Sequence, residues 1–152
     1  MKLRFNLEWL MGNRKSPPAS SEAAQKRMKA TKGRDTKPEL AVRSALHRLG
    51  YRYKVDVAPL PSLRRRADLV FSRQRLAVYI DGCYWHGCPV HGTWPKANAD
   101  FWRDKIETNR RRDQDTDEKL RRAGWYSLRI WEHEPIEEAV RRVINALSEA
   151  GN

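Results

Sequence analysis

The segment Asp81-Gly82-Cys83-Tyr84-Trp85-His86-Gly87-Cys88-Pro89-Val90-His91 gathers two cysteines, two histidines, a carboxylate and two adjacent aromatics just after an apolar run. These are the only two cysteines in the chain. Thiolate and imidazole at this spacing suit a structural Zn²⁺ site, whose tetrahedral shell closes when four such ligands are supplied. Cys83, Cys88 and His91 can converge without a long loop. His133, just past a later apolar strand, is the best candidate for the fourth donor. His86 in place of His91 is an open alternative. A blander one is that both cysteines are small buried hydrophobes beside solvated histidines.

Two acids stand close to this segment. Asp68 interrupts one apolar run and Asp81 ends the next. A carboxylate inside an apolar strand is costly unless it is paired or binds a metal. Mg²⁺ takes carboxylate, carbonyl and water oxygens and leaves room for substrate phosphates, so Asp68, Asp81 and the carbonyl of Ile80 form a candidate set of ligands. Ion pairing of the two acids with Arg64, Arg65 or Arg66 is the competing explanation. His86 can serve as general base toward water near neutral pH, with Asp113 as the carboxylate that orients it. Tyr84, Trp85 and Trp102 lie among polar residues, which suits stacking against bases, although core packing is the ordinary fate of a tryptophan. Glu39 fits a capping box and has a lesser claim to a place near the metal.

These groups need elements to hold them. Thr36-Lys37-Pro38-Glu39 reads as a helix start, and Val42, Ala45, Leu46 and Leu49 continue at helical spacing to a stop at Gly50. Residues 51–57 alternate as a strand. Residues 67–71 and 76–80 are short apolar runs around Ser72-Arg73-Gln74-Arg75, the pattern of a hairpin. A polar helix is expected from Asn98 to about Ala123, with Trp102, Lys105, Asn109 and Asp113 within a limited arc of one face. Residues 125–131 form another strand, and Pro135 opens a last helix with Ile136, Ala139, Val140, Val143 and Leu147 on its buried side. The order is helix, three strands, helix, strand, helix. It implies one α/β domain around a mixed sheet, residues 34–152, preceded by a basic, partly disordered arm, residues 1–33.

The chain of 152 residues carries 31 Lys+Arg against 19 Asp+Glu, a formal net charge of +12. That excess favours a polyanion, because each phosphate neutralised releases condensed counterions; nucleic acid comes first and an anionic membrane surface second. The chain has no apolar run long enough to span a bilayer. The expectation is a cytoplasmic, nucleoid-associated monomer whose cysteines are metal ligands or free thiols.

Taken together, the ordered motifs closely resemble the very-short-patch-repair (Vsr) family of DNA mismatch endonucleases. The resemblance runs from about Met28 to Glu134 through Arg34-Asp35-Thr36, the segment 66–71, the segment 81–91, Phe101-Trp102 with Lys105, Asn109 and Asp113, Gly124-Trp125, and Trp131-Glu132-His133. It implies a fold similar to type II restriction endonucleases, a structural zinc, and Mg²⁺-dependent nicking of double-stranded DNA on the thymine strand of a T:G mismatch. Carried over by position, Asp68 is the principal metal ligand, His86 activates water and Asp113 is its partner. Cys83, Cys88, His91 and His133 hold zinc; Tyr84, Trp85 and Trp102 form a wedge that enters the base stack. Met28 enters from the minor groove, while Lys105 and Asn109 face the DNA. The chain departs from the best-known member at Asp81, where that member has a histidine, and at His133, where it has a cysteine. Two rivals remain: a nuclease of the same fold that serves restriction or phage defence without mismatch preference, and a zinc-stabilised DNA-binding module without catalysis.

Overall fold

A computed structural model describes residues 35–91 and 96–151, together with positions 18, 21–23 and 26. The chain divides between residues 31 and 32, and the architecture below concerns the part from 32 onward. Met28 and most of the expected arm lie outside the described residues.

Helix α1 (Lys37–Arg48) begins where the sequence places it. Thr36 accepts a hydrogen bond from the Glu39 N–H, the Glu39 carboxylate accepts one from the Thr36 N–H, and Pro38 occupies the first turn. Strands β1 (Lys54–Val57), β2 (Ala67–Phe71) and β3 (Leu76–Asp81) follow, then helix α2 (Ala99–Arg122), strand β4 (Tyr126–Trp131) and helix α3 (Ile136–Ala150). The expected order holds, with β1 three residues shorter at its start than the alternating pattern of residues 51–57. Tyr53 accounts for part of that: its hydroxyl donates to the Arg43 carbonyl on α1 and its ring meets Phe71 edge to face.

The sheet runs β1-β2-β3-β4, antiparallel across the first two pairs and parallel between β3 and β4. A parallel pair needs a crossover, and α2 supplies it. One face carries Leu69, Phe71, Leu76, Val78 and Ile130 against Val42 and Leu46 of α1 and Ala139, Val140, Val143 and Leu147 of α3. The other face packs Val70, Ala77 and Tyr79 against Leu120 of α2. Both faces of the sheet are therefore covered, and the core strands read as nearly continuous apolar runs for that reason. Alternation along β3 sends Leu76, Val78 and Ile80 toward α1 and α3 and sends Ala77, Tyr79 and Asp81 toward α2. The carboxyl ends of the parallel pair, at Asp81 and Trp131, are in register. Ligand sites in open α/β sheets commonly form outside such strand ends. Here the segment 82–91 and residues 132–133 occupy that position.

Candidate functional site

Two clusters of potential metal-ligating groups form at this end of the sheet. In the first, Cys83, Cys88, His91 and His133 bring one donor atom each within 4.8 Å of one another. Cys83 Sγ lies 3.1 Å and Cys88 Sγ 3.7 Å from His133 Nδ1, and the His91 and His133 rings are 4.3 Å apart. The loop turns tightly enough for this because the Cys88 N–H donates to the Cys83 carbonyl, and Gly87 between them has φ +64°. A Cβ at Gly87 would meet Ile106 Cγ2 at 2.9 Å, so the position suits glycine on both counts. Glu132 fastens the start of the loop by accepting the Cys83 N–H at 2.9 Å. Burial, reinforced by the Cys88 thiol, pushes the Cys83 thiol up to about 11. Two buried thiols converging on two imidazoles fit a metal that binds thiolate and nitrogen.

In the second cluster, Asp81, His86 and Asp113 also offer donor atoms within 4.8 Å of one another. His86 Nδ1 lies 2.5 Å from Asp113 Oδ2 and 3.9 Å from Asp81 Oδ1. Burial opposes the charged imidazole, but the Asp113 hydrogen bond and the charges of Asp81 and Asp113 outweigh it and raise the His86 pKa above its ordinary value. This is the histidine and carboxylate pair expected from the sequence. Of the two histidines of the loop, His91 lies in the first cluster and His86 in the second.

Asp68 stands apart from both clusters. The β2-β3 ladder ends at Leu69↔Val78, and beyond it the Ile80 N–H donates at 2.6 Å to the Asp68 carboxylate. Opposite this point on β1, Asp56 has φ +51° between the paired Val55 and Val57. Burial raises the Asp68 carboxyl to about 6, with Glu39 and Asp81 adding like charge and the Ile80 bond and Arg43 opposing. A part-buried, under-neutralised carboxylate of this kind fits a cation. What is established of Ile80 is its N–H bond to Asp68, while the expected contribution was its carbonyl. Arg65 pairs with Asp115 and Arg66 with Asp56, so the competing explanation for Asp68 and Asp81 in that arginine run does not hold for these two arginines.

The chain belongs to the Vsr endonuclease family. The family model for DNA mismatch endonuclease Vsr matches residues 19–91. The type II nicking enzyme V.NaeI of Lentzea aerocolonigenes is 43% identical over 86% of this chain and 80% of its own length. The type II nicking enzyme V.XorIIP of Xanthomonas oryzae is 39% identical over 76% of the chain and 83% of its own. The DNA mismatch endonuclease Vsr of Escherichia coli is 34% identical over 70% and 67%. This Vsr-family protein is a DNA strand-nicking endonuclease, and no helix among the described residues is long and apolar enough to cross a membrane.

Several family positions sit differently from the sequence expectation. Asn109, expected to face DNA, is buried, and its amide donates at 2.8 Å to the Trp85 carbonyl. It fixes the aromatic segment from behind. Lys105 is exposed on the same helix. Tyr84, Trp85 and Trp102 are each half-buried and meet edge to face, with ring centroids 5.0 to 6.0 Å apart. Glu39 completes the capping box and pairs with Arg43 at 3.3 Å, while its charge still reaches Asp68. Asp81, expected as a metal ligand, is held through both oxygens at 3.1 Å by Arg129. Sequence reasoning missed Arg129 altogether. The available signal was Asp113 and Asp117, four apart on α2, which stack on one helix face and can share a single guanidinium.

Proposed function

We propose that this Vsr-family enzyme hydrolyses one phosphodiester bond in one strand of double-stranded DNA, with a divalent ion at Asp68, in the service of a restriction system. The observation that carries the chemistry is the contact of His86 Nδ1 with Asp113. That bond leaves Nε2 as the nitrogen able to take a proton from water, while Asp113 fixes the ring's orientation and favours the charged imidazole that results. Asp68, with Glu39 nearby, supplies carboxylate oxygens suited to Mg²⁺, and Asp81 stands beside the dyad as a charge partner of His86. A divalent ion bound there would polarise the phosphate and offset the charge that develops on it. Cys83, Cys88, His91 and His133 fit Zn²⁺ in a closed structural site, because all four positions are filled by protein donors. The excess of basic residues supplies sequence-independent attraction to the DNA backbone. A sheet with helices on both faces and the site at the ends of its central strands is in keeping with a restriction-endonuclease-like fold.

The restriction setting is favoured by the names of the more similar relatives, which are type II nicking enzymes. A second reading, nicking at T:G mismatches, draws on the more distant mismatch endonuclease and on the Tyr84, Trp85 and Trp102 cluster. Half-buried rings that support one another edge to face are suited to enter a base stack where pairing is weak. The test is nicking with Mg²⁺ on paired and T:G duplexes of otherwise identical sequence, across a panel of contexts. Comparable rates on both supports the first reading, and a strong preference for T:G supports the second. No cleavage of any duplex by zinc-loaded enzyme with Mg²⁺ or Mn²⁺ would refute both.

A further inference from the structure

The Asp81, His86 and Asp113 cluster has the geometry of a metal site, yet a protein cation already fills it. Arg129 Nη1 lies 3.1 Å from both oxygens of Asp81 and 3.4 Å from Asp113 Oδ1. Its Nη2 donates to the Asp113 carbonyl at 3.3 Å and its Nε to Asp117 at 2.9 Å. The guanidinium also lies 4.5 Å from the centre of the Tyr79 ring. We propose that Arg129 is a positioning residue of the nicking site, which cross-links Asp81 to Asp113 around His86 and closes this cluster to divalent ions, leaving Asp68 to recruit them.

The argument is one of charge and fit. Asp81 and Asp113 would otherwise be two acids from two elements crowded about one imidazole, with Asp117 one turn further along α2. Arg129, on the β4 face turned toward α2, is the only arginine the described residues place in hydrogen-bond contact with all three of these acidic residues. A guanidinium cannot be deprotonated in a protein, and its planar fork spreads several directed donors over neighbouring oxygens. Mg²⁺ requires near-octahedral oxygen geometry and gives up water reluctantly. To enter, it would have to displace a largely buried cation from its bonds to both oxygens of Asp81. Arg142 holds Arg129 from behind by donating at 2.9 Å to its carbonyl and pairing with Glu134 at 2.6 Å. The Asp81–Arg129 pair thus takes a place that an ordinary two-acid metal site would give to an ion.

The catalytic part of this inference rests on the function proposed above, and the metal-exclusion part does not. Zinc-loaded wild type, Arg129→Gln and Arg129→Lys are titrated with Mn²⁺ by electron paramagnetic resonance. Single-turnover nicking and DNA affinity are measured on the same preparations. Glutamine keeps a donor and loses the cation, so Arg129→Gln should bind one more Mn²⁺ than wild type, and Arg129→Lys should bind the wild-type number. Nicking should fall about 100-fold in Arg129→Gln, with DNA affinity within about twofold, and recover to within about tenfold in Arg129→Lys, as expected for misplaced rather than missing chemistry. Equal Mn²⁺ stoichiometry in wild type and Arg129→Gln would overturn metal exclusion; an unchanged nicking rate, or a loss that follows DNA affinity, would overturn positioning. Should Arg129→Gln fail to fold, the double variant Asp81→Asn/Arg129→Met removes both charges and carries the kinetic test, with a wild-type rate as the refuting result. If wild type nicks no duplex, the functional reading fails while the Mn²⁺ counts still decide whether the cluster is closed.

Discussion

Replacing Asp68 by Asn should stabilise the protein while abolishing its activity. The side chain is largely buried, and its carboxyl is raised from 3.8 to about 6 because burial disfavours the charged form. Asparagine keeps an oxygen to accept the Ile80 N–H and removes the charge. At about 1.4 kcal/mol for each tenfold change in proton affinity, that displacement corresponds to roughly 3 kcal/mol held against the folded state at neutral pH. With about 2.1 cal/mol/K per residue for the entropy of unfolding and roughly 120 residues, the gain corresponds to a rise in Tm of up to about 12 °C.

The pH dependence fixes the sign. Because the folded-state pKa lies above the unfolded value, the native protein binds more protons between about pH 4 and pH 6, and the contribution of Asp68 to stability falls as pH rises through that window. The advantage of Asp68→Asn should therefore be near zero below about pH 4 and complete above about pH 6. The assay is thermal unfolding of zinc-loaded wild type and variant without Mg²⁺, from pH 4 to 8, with nicking measured alongside. Added Mg²⁺ should then stabilise wild type and leave the variant unmoved, since a ligand stabilises only the state it binds. Equal or lower stability of Asp68→Asn at pH 7 would refute the reasoning, as would retained nicking.

Other substitutions separate support from contact. Asn109→Ala leaves the Trp85 carbonyl without its buried donor and should cost about 1–3 kcal/mol in denaturant unfolding without DNA present; an unchanged stability with weakened DNA binding would return Asn109 to the DNA face. Lys105→Ala should leave stability within about 0.5 kcal/mol, because the side chain is exposed, and should flatten the dependence of log affinity on log salt by about 0.9 if it neutralises a phosphate. His133→Ala should lower bound zinc and nicking together although His133 touches no reacting group in the proposed mechanism, a result that full activity after verified zinc loss would overturn. Trp102→Ala removes one of three mutually supporting rings and should slow nicking while zinc content stays whole, so normal rates in that variant would refute the wedge.

The elements were legible where local chemistry decides them. The Thr36 and Glu39 capping box, the hairpin of β2 and β3, and the apolar stripe of α3 each follow from residues a few positions apart, and all appear with small changes at their ends, except that Ile136, expected on the buried side of α3, is exposed in its first turn. Cys83 and Cys88 were legible as donors for a different reason: Cys beside His in this density has few other uses, so residue type alone pointed to them. Between His86 and His91 spacing left both open and the resemblance pointed to His91; in the structure His91 lies with the cysteines and His86 with Asp113 of α2.

Asn109 and Arg129 illustrate a second kind of gap. At about 100° per residue, Trp102, Asn109 and Asp113 fall within roughly 40° on α2 while Lys105 sits about 60° from Trp102, at the edge of the arc. The spacing defines an arc but not the direction it faces, and the structure turns Asn109 inward and Lys105 outward. Along β4, Arg129 alternates with Leu128 and Ile130 and so reads as a solvent-facing residue of a half-buried strand. That inference assumes one wet face, whereas α2 covers the face in question and lines it with Asp113 and Asp117. Polar residues on a covered face must find partners there, since an unpaired charge would be expelled. The acids of α2 and the arginine of β4 therefore require one another, and Asp81 comes under the same guanidinium because β3 and β4 are parallel and in register, with Asp81 beside Trp131 and Tyr79 beside Arg129. Asp81, which looks like a metal ligand in the sequence because it ends an apolar strand, is, in the fold, one half of an ion pair whose other half lies 48 residues away.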